Sequence, residues 1–517
     1  MNLKYIIAVI AIIVIICGCA FALTNSQNSG SVKIDSNALQ DKESLIVDAK
    51  SLDENNGLYH TAKSDVNSIL IKNAGKLKLT NSIINKTGDT QTSGDDADFY
   101  GVNSAILVNT NGTLDISDVE INTNSKGSNG IFVTNGQTTT NTSQSNSNQQ
   151  SGGQPPEAQG TNDNPSAGGQ PPEAQGTNDN PSAGGQPPEA QGGAGGQAPD
   201  AQGGSNPGES TVEGNTKADI KNVKITTHSD KSRGLDATYN GIINAENVII
   251  NTDGQSCAAL ATDRGEGEVH VKNSDINTGV SKSSGRGSPL IYSTGNITAE
   301  NTKGTSHVSQ IACIEGKNSI ELTDCDLVGY GEGNRKDGDT YVDLGGIFIY
   351  QSMSGDANVG TSLFTAKNSK LAIAEDSSVY KQAPMFHVTN TACIINLENT
   401  EFSFGSGTFI EVSGQNQWGS EGSNGGDAQL NLNNEKIDGN VIVDSISSLA
   451  LNMTKTEFKG AINSSGNTTV NVGEGSTWTL TGDSSVSGLE VSGNIDYGDY
   501  NLVVNNKTYN SKNPYKA

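Results

Sequence analysis

One short pattern of alternating apolar and polar residues recurs along most of the chain. It reads apolar, any, apolar, any, then Asn or Asp, then a small or β-branched residue and a further apolar position, as at residues 114–121. From Asn222 to Asp324 the Asn or Asp positions are 25, 26, 28 and 23 residues apart, and the later gaps of 44, 31 and 35 indicate loops inserted in a turn. Alternation puts every second side chain on one face of a strand. The pattern therefore predicts two or three short strands in each repeat.

Repeats of about 22–30 residues built from short strands are typical of a parallel β-helix. Apolar side chains fill the lumen, and the recurring Asn suits a sharp turn because it tolerates the left-handed backbone conformation. Stacked amides can also bond to each other from coil to coil. A helical repeat protein is excluded because Gly, Asn and β-branched residues stand where Ala and Leu would be needed. The sequence predicts an all-β, single-stranded, right-handed parallel β-helix of about 12–15 coils.

The same pattern divides the chain into segments. The β-helix is expected at residues 66–136 and 217–490, with a linker and cap at 23–65 and a cap and tail at 491–517. The Gly, Pro and Gln-rich segment 137–216 repeats the 16-residue unit GGQPPEAQGTNDNPSA and is expected to be a disordered loop leaving one turn. It is either a spacer or partner-binding segment, or a tandem repeat that expanded in a tolerant solvent loop.

The amino terminus, residues 1–22, has the outline of a secretory signal. Lys4 precedes an apolar run at residues 6–16, which is short for a membrane span. Residues 20–22 fit a signal-peptidase site, whereas Cys19 is the lipidated residue if the preceding stretch is a lipobox. Retention as an uncleaved anchor is the third interpretation. All three predict an extracellular or cell-surface body that meets the membrane only through its amino terminus.

The balance of acidic and basic residues limits the kinds of molecule that the protein can bind. The 517 residues include 57 acidic and 32 basic residues, which gives a net charge of −25. Nucleic-acid binding is excluded, because phosphate contacts need clustered Lys and Arg. A self-repelling surface protein, or one that holds hard cations, is compatible with this charge.

Several motifs resemble a known family. They are DDADFYG (95–101), SRGLDAT (232–238), ALATDRGEG (259–267), IEGKNS (314–319), IYQSMSGD (349–356), WGSEGSNGGD (418–427), DSISSL (444–449) and WTLTG (478–482). With them the chain resembles the secreted right-handed parallel β-helix proteins, termed adhesin-like, of methanogenic archaea and of anaerobic and gut bacteria. The resemblance implies a surface protein that contacts glycans or neighbouring cells, and it carries over no established activity.

Candidate ligand-binding residues lie at similar phase on neighbouring coils. Arg233, Asp236, Arg264 and Glu315 are expected to form a charged patch, and the aromatic residues Tyr350 and Trp418 suit sugar binding beside it. Packing in the lumen is the alternative for the aromatic residues. No histidine lies in a Gly-His-Gly and no Arg-x-Lys occurs, so the polygalacturonase pattern is missing.

Acidic turns suggest Ca²⁺ as the one candidate cofactor. Ca²⁺ takes six to eight oxygen ligands, and the candidate sets are Asp263 with Glu266, and Asp337 with Asp339 and Asp343. Neither set matches an EF-hand or a nonapeptide repeat, and solvated acidic turns are the alternative.

Four cysteines in the body are expected to be buried thiols, with two disulfide bridges as the alternative; they are Cys257, Cys313, Cys325 and Cys393.

Together these observations predict an adhesin-like surface protein. Its partners are expected to be polysaccharides or the surface glycans of host or microbial cells, bound by the β-helix face, with no nucleic acid. A Ca²⁺-dependent polysaccharide lyase-type enzyme is one alternative, in which an Arg or Lys base acts beside the bound cation. A structural envelope spacer that binds nothing is the other.

Overall fold

Strands of two long parallel sheets alternate along the chain in the computed structural model, which describes residues 32–92, 94–136, 214–282 and 287–516. Each coil adds one strand to a 13-stranded sheet, so the β-helix has at least 13 coils. These strands are Leu45–Asp48, Ile69–Lys72, Ile106–Asn109, Ile131–Thr134, Leu235–Thr238, Leu260–Thr262, Ile291–Ser293, Ala312–Glu315, Ile347–Tyr350, Phe386–Thr389, Thr408–Val412, Asn440–Val443 and Ile462–Ser464. The predicted fold class, a parallel β-helix, is confirmed.

The second long sheet has 22 strands, because seven coils add two strands to it on either side of a bend and the others add one, which in Lys76–Lys86, Thr113–Thr123 and Lys217–Thr227 runs through the bend. They are Gln40–Lys42, Ser51–Asn55, Gly57–Thr61, Lys76–Lys86, Thr113–Thr123, Lys217–Thr227, Ile242–Glu246, Ile249–Thr252, Glu268–Lys272, Asp275–Thr278, Asn296–Glu300, Lys303–Ser306, Ser319–Thr323, Asp326–Gly329, Thr361–Lys367, Lys370–Ile373, Ala392–Glu398, Glu401–Ser403, Asp427–Asn433, Ser448–Thr454, Asn467–Val472 and Gly488–Val491.

Smaller elements complete the fold. A four-stranded parallel sheet continues the far side of the bend with Lys436–Asp438, Glu457–Lys459, Thr477–Thr479 and Asn494–Asp496. At the carboxyl end Ser484–Val486, Leu502–Val504 and Lys507–Tyr509 form a three-stranded sheet whose last pair is antiparallel. The remaining elements are a hairpin, Lys336–Asp337 with Thr340–Tyr341, a 3₁₀ turn, Ser36–Ala38, and a helix, Gly94–Tyr100.

Apolar side chains from all the ladders meet in the lumen. Ile225, Ile250 and Ile276 occupy equivalent positions on successive coils, and all three are fully buried. This stacking repeats along the chain and forms one continuous core cluster. The alternation in the sequence therefore predicted the inward set correctly, because only inward positions need to be apolar.

The recurring Asn and Asp lie at the bend of a coil, either between two strands or, at Asn81, Asp118 and Asn222, within one long strand. All ten have a left-handed backbone with φ between 46° and 56°. They are Asn81, Asp118, Asn222, Asn247, Asn273, Asn301, Asp324, Asn368, Asn399 and Asn434. The amide ladder is also present: Asn247 Nδ2 donates to Asn222 Oδ1 at 2.6 Å and Asn301 Nδ2 to Asn273 Oδ1 at 2.7 Å.

The β-helix continues across the Pro-rich insert. Thr113–Thr123 pairs in parallel with Lys217–Thr227, and Ile131–Thr134 pairs with Leu235–Thr238. The segment thus leaves one turn of a coil, as predicted. Its expected disorder lies outside the described residues, as do the signal-like residues and Cys19. Among the described residues no helix is long and apolar enough to cross a membrane.

The first coil begins earlier than the sequence pattern suggested. Strands of both sheets are already formed at Gln40–Lys42 and Leu45–Asp48, inside the range 23–65 that was assigned to a linker and cap. The strand Ser51–Asn55 carries Asp and Glu and alternates only between exposed and half-buried positions. An end coil covers the lumen from one side only, so its apolar signal is weak.

Candidate functional site

The outward face of the 13-stranded sheet is unusual because it is buried. Strand register places Tyr292, Cys313 and Phe348 in one outward row, with Asp236 two coils before Tyr292. Their neighbours along each strand point into the lumen, as Leu235 and Ile347 do. Asp236 is nevertheless fully buried, and Phe348 is 2% exposed. Segments inserted in the turns cover this part of the sheet.

Between the sheet and these covering segments lies a cavity of about 380 Å³. That volume lies within the range of about 300–1,000 Å³ for small-molecule sites. Its charged and aromatic lining, called the outer cavity here, consists of Asp98, Phe99, Lys231, Arg233, Asp263, Tyr292, Glu315, Arg335, Asp343, Phe348, Tyr350, Asp356 and Trp418. The outer cavity thus combines aromatic rings, hydroxyls and charges of both signs.

A cluster of three carboxyls and one guanidinium forms one end of the outer cavity. Arg233 Nη1 lies 2.9 Å from Asp98 Oδ1, and its Nε lies 2.7 Å from Asp263 Oδ2 and 3.6 Å from Asp236 Oδ2. Lys231 Nζ adds a contact of 2.9 Å to Asp98. The helix Gly94–Tyr100 supplies Asp98, so this cluster ties an inserted segment to the sheet.

Burial sets the protonation of these carboxyls. Burial and the neighbouring Asp263 raise the pKa of Asp236 well above its usual value, with Arg233 opposing this shift. Burial likewise raises the pKa of Asp263 to about 6. No donor among the described residues has hydrogen-bond geometry to either oxygen of Asp236. At neutral pH Asp236 therefore keeps its proton and shares it with Asp263, so the two carboxyls together carry one negative charge and not two.

Glu315 is a further carboxyl group in the lining of the outer cavity. It is 2% exposed and accepts a hydrogen bond from Tyr292 Oη at 2.8 Å and another from Ser352 Oγ. Burial and the charge of Glu315 raise the pKa of Tyr292 and Tyr350 well above their usual values. Both phenols therefore remain protonated and serve as hydrogen-bond donors.

An aromatic wall stands beside Glu315. The ring centroids of Phe348 and Tyr350 lie 4.7 Å apart, and Trp418 lies 5.1 Å from Phe348 and 5.4 Å from Tyr350. Cys313 packs with them in a cluster separate from the lumen. Trp418 is in a segment that follows Thr408–Val412, so the wall joins the sheet to a second inserted segment. These rings lie outside the lumen, in contrast to the packing alternative.

Arg264, predicted for the ligand patch, does not line the outer cavity. Its Nε donates to Asp356 Oδ1 at 3.0 Å, and its guanidinium lies 3.8 Å from the centre of the Phe99 ring. It therefore clamps the helix Gly94–Tyr100 to the segment after Ile347–Tyr350. Of the other predicted patch residues, Arg233, Glu315, Tyr350 and Trp418 line the outer cavity. Asp236 does not line it, but its Oδ2 lies 3.6 Å from Arg233 Nε.

The structure does not assemble the predicted Ca²⁺ ligand sets. Asp343 accepts the backbone N–H groups of Asn334 and Arg335 at 2.7 and 3.0 Å, and Asp337 accepts from Asn416 Nδ2 at 2.7 Å. Asp339 is exposed in the turn of the hairpin. Asp263 contacts Arg233, whereas Glu266 pairs with Lys317 Nζ at 2.8 Å. In the part of the chain that the structure describes, no group of three or more His, Cys, Asp or Glu is placed to hold a metal ion.

The predicted state of the body cysteines is confirmed, because all four are free and buried.

Sequence reasoning missed Lys231 and Ser352, which line the outer cavity from turns. Turns have no periodicity that would assign a facing direction. Only the motifs marked their place, because Lys231 directly precedes SRGLDAT and Ser352 lies within IYQSMSGD.

A second concavity of about 520 Å³ follows the asparagine bend. It is lined by amides, carboxylates and Lys303, without an aromatic side chain, and several of its amides already bond to each other. The outer cavity is the better candidate site.

No protein-family model matches the chain, and no curated protein matches it significantly. The residues of the outer cavity are therefore the basis for a functional proposal.

Proposed function

We propose that this protein is an extracellular, adhesin-like protein of the cell surface that binds glycans, and that the outer cavity takes the terminal sugar. The observation that carries the proposal is the convergence of an aromatic wall, phenol donors and carboxylates around one cavity. Sugars present apolar ring faces and many hydroxyls, so such a lining is complementary to them.

The placement of the site supports the same function. The lining is carried partly by sheet strands, which hold their side chains rigidly, and partly by inserted segments. The lumen is lined by the apolar side chains of the core cluster, whereas the outer cavity carries the polar and charged groups. A long scaffold with one walled site suits presentation of a binding surface away from a cell. The signal-like amino terminus agrees with that location.

The two tryptophans of the chain provide a matched test. Trp418 lies on the aromatic wall, whereas Trp478 is fully buried in the lumen cluster. We expect the full chain to bind a subset of glycans on an array, and Trp418→Phe to weaken the best hit about tenfold or more. Trp478→Phe is expected to leave binding unchanged. The array is measured with Ca²⁺ and with a chelator, which also tests the Ca²⁺ prediction.

Two results would overturn the proposal. A blank array and no cell binding would favour the structural spacer. Release of unsaturated products from polygalacturonate, lost on substitution of Arg233 or Arg264, would favour the lyase. Arg264 has less access to a substrate than the sequence suggested, because Asp356 and Phe99 hold it.

A further inference from the structure

Most carboxylates of the outer cavity already have a compensating group. Arg233 contacts both Asp98 and Asp263, and Arg264 contacts Asp356. The backbone N–H groups that Asp343 accepts serve the same purpose. A buried carboxylate is stable only if it is paired or well hydrogen-bonded. These four carboxylates meet that condition within the protein.

Glu315 is also hydrogen-bonded, but by hydroxyl groups rather than by a guanidinium or by backbone N–H groups. Its oxygens receive hydroxyl donors from Tyr292, Ser352 and Ser354, and within the described residues no Lys, Arg or His forms an ion pair with it. The hydroxyls orient the carboxylate and do not neutralise it. At 2% exposure, water screens it poorly. The complementary group for this position is a cation that enters the outer cavity.

The aromatic wall favours the same charge. Tyr350 follows Phe348 by two positions on one strand and pairs in register with Glu315 on the preceding coil. Trp418 packs against both rings. The face of an aromatic ring attracts a cation within about 6 Å of its centre. Glu315 and the wall therefore present two independent attractions for positive charge at one place.

We propose, resting on the glycan-binding function above, that the outer cavity recognises a sugar with a free amino group, whose ammonium pairs with Glu315. A primary ammonium can donate several hydrogen bonds to a carboxylate, and its sugar ring can lie on the aromatic wall. A neutral N-acetylated sugar leaves Glu315 uncompensated. An acidic sugar brings a second negative charge to it.

The test compares D-glucosamine with N-acetyl-D-glucosamine, which differ in this charge, by calorimetric titration of the full chain. We expect the free amine to bind about tenfold tighter or more, since hydrogen bonds to charged groups are the strong ones. In Glu315→Gln the preference is expected to fall to about twofold or less. Added salt is expected to reduce the wild-type preference.

A matched control is available on the same sheet. Glu411 lies on the outward row, in register with His387, and outside the lining of the outer cavity. Glu411→Gln is expected to keep the full preference for the amine. Circular dichroism and thermal melting of both variants check that the fold is retained.

The outcomes separate the two proposals. If glycans bind on the array but both sugars bind equally well, or the preference survives Glu315→Gln, the assignment of Glu315 is overturned and the glycan-binding function stands. If neither the array nor the titration shows any binding, the glycan-binding function itself is overturned. A preference that Glu315→Gln removes and Glu411→Gln retains supports the proposal.

Discussion

Replacing Arg233 by Met is expected to destabilise the coils around the carboxyl cluster. The guanidinium is the one cation within contact of both Asp236 and Asp263 among the described residues, and these carboxyls are almost completely buried. Removing one partner of a buried ion pair typically costs about 3–5 kcal/mol because the remaining charge is uncompensated. Lys231 remains beside Asp98 and keeps that carboxylate paired.

This loss is expected to depend on pH. The pKa of Asp263 is raised to about 6 and that of Asp236 is higher than its usual value. A carboxyl whose pKa is raised by folding contributes its full stability at low pH and loses it as the pH rises through the folded-state pKa. Removing Arg233 raises both pKa values further. At pH 5 both carboxyls are protonated and the variant should lose about 1–2 kcal/mol, against about 3–5 kcal/mol at pH 7.5.

Amide hydrogen exchange measures this locally, which suits a solenoid because its coils contact only their neighbours. At pH 7.5 the strands Leu235–Thr238 and Leu260–Thr262 should exchange about 150- to 5,000-fold faster in Arg233→Met than in the wild type, at one decade per 1.36 kcal/mol. The distant strand Asn467–Val472 should be unchanged. Lys231→Met is the matched control, and its half-exposed pair should be worth less than about 1 kcal/mol.

Three results would refute this reasoning. Protection in Arg233→Met could match the wild type at pH 7.5, or the loss could be equal at pH 5 and pH 7.5. The third concerns Asp236→Asn, which should be neutral or stabilising at pH 7.5 if Asp236 already holds a proton. A loss of protection in this variant similar to that in Arg233→Met would contradict this. Each would mean that the cluster does not share its protons as the geometry indicates.

Three further predictions follow from single contacts. Asn247→Ala should lose about 1–2 kcal/mol of stability, because alanine disfavours the left-handed φ of 55° and the hydrogen bond of the amide ladder is lost. Asn247→Gly should lose less, because glycine adopts that backbone conformation freely, and local hydrogen exchange distinguishes the two variants. Burial raises the pKa of Glu435 to about 7, so the stability that this side chain contributes should fall as the pH rises from 4.5 to 7. At pH 7.5 the free energy of unfolding of Glu435→Gln should exceed that of the wild type by up to about 3 kcal/mol, as melting or hydrogen exchange would show. The four body cysteines should resist thiol reagents at pH 8 until the protein is unfolded, as mass mapping of labelled peptides would show, because burial raises their pKa values, to about 12 for Cys257 and about 11 for Cys325.

The sequence was sufficient for the fold because the same physical demand is repeated in every coil. Each coil must place apolar residues inward and must bend at one position, and the two demands produce the alternation and the recurring Asn. Asn222 and Asn247 show both the left-handed backbone and the amide ladder that the pattern predicted. The pattern fails at the first coil, where the strand Ser51–Asn55 is not buried from both sides, and beyond Asn434, where Lys455 forms the next left-handed bend.

The site was predictable only in part, because its residues satisfy no periodic demand. Arg233, Glu315 and Trp418 were identified by residue type and phase, and the structure places them around one cavity. Arg264 has a suitable phase as well, but the helix Gly94–Tyr100 and Asp356 turn it into a clamp. The direction of a side chain in an inserted segment depends on contacts that spacing does not report.

Irregular spacing nevertheless marks where the site lies. The covering helix Gly94–Tyr100 falls in the interval of 37 residues between Asn81 and Asp118, well above the 23–28 of the uninterrupted coils. The hairpin and the segment with Ser352 fall in the interval of 44, and Trp418 falls in that of 35. A coil of minimal length encloses the lumen and leaves its outward face open to water. In these three intervals residues beyond that minimum fold back over the outer surface and line the outer cavity, so the lengthened intervals marked the coils that form the site.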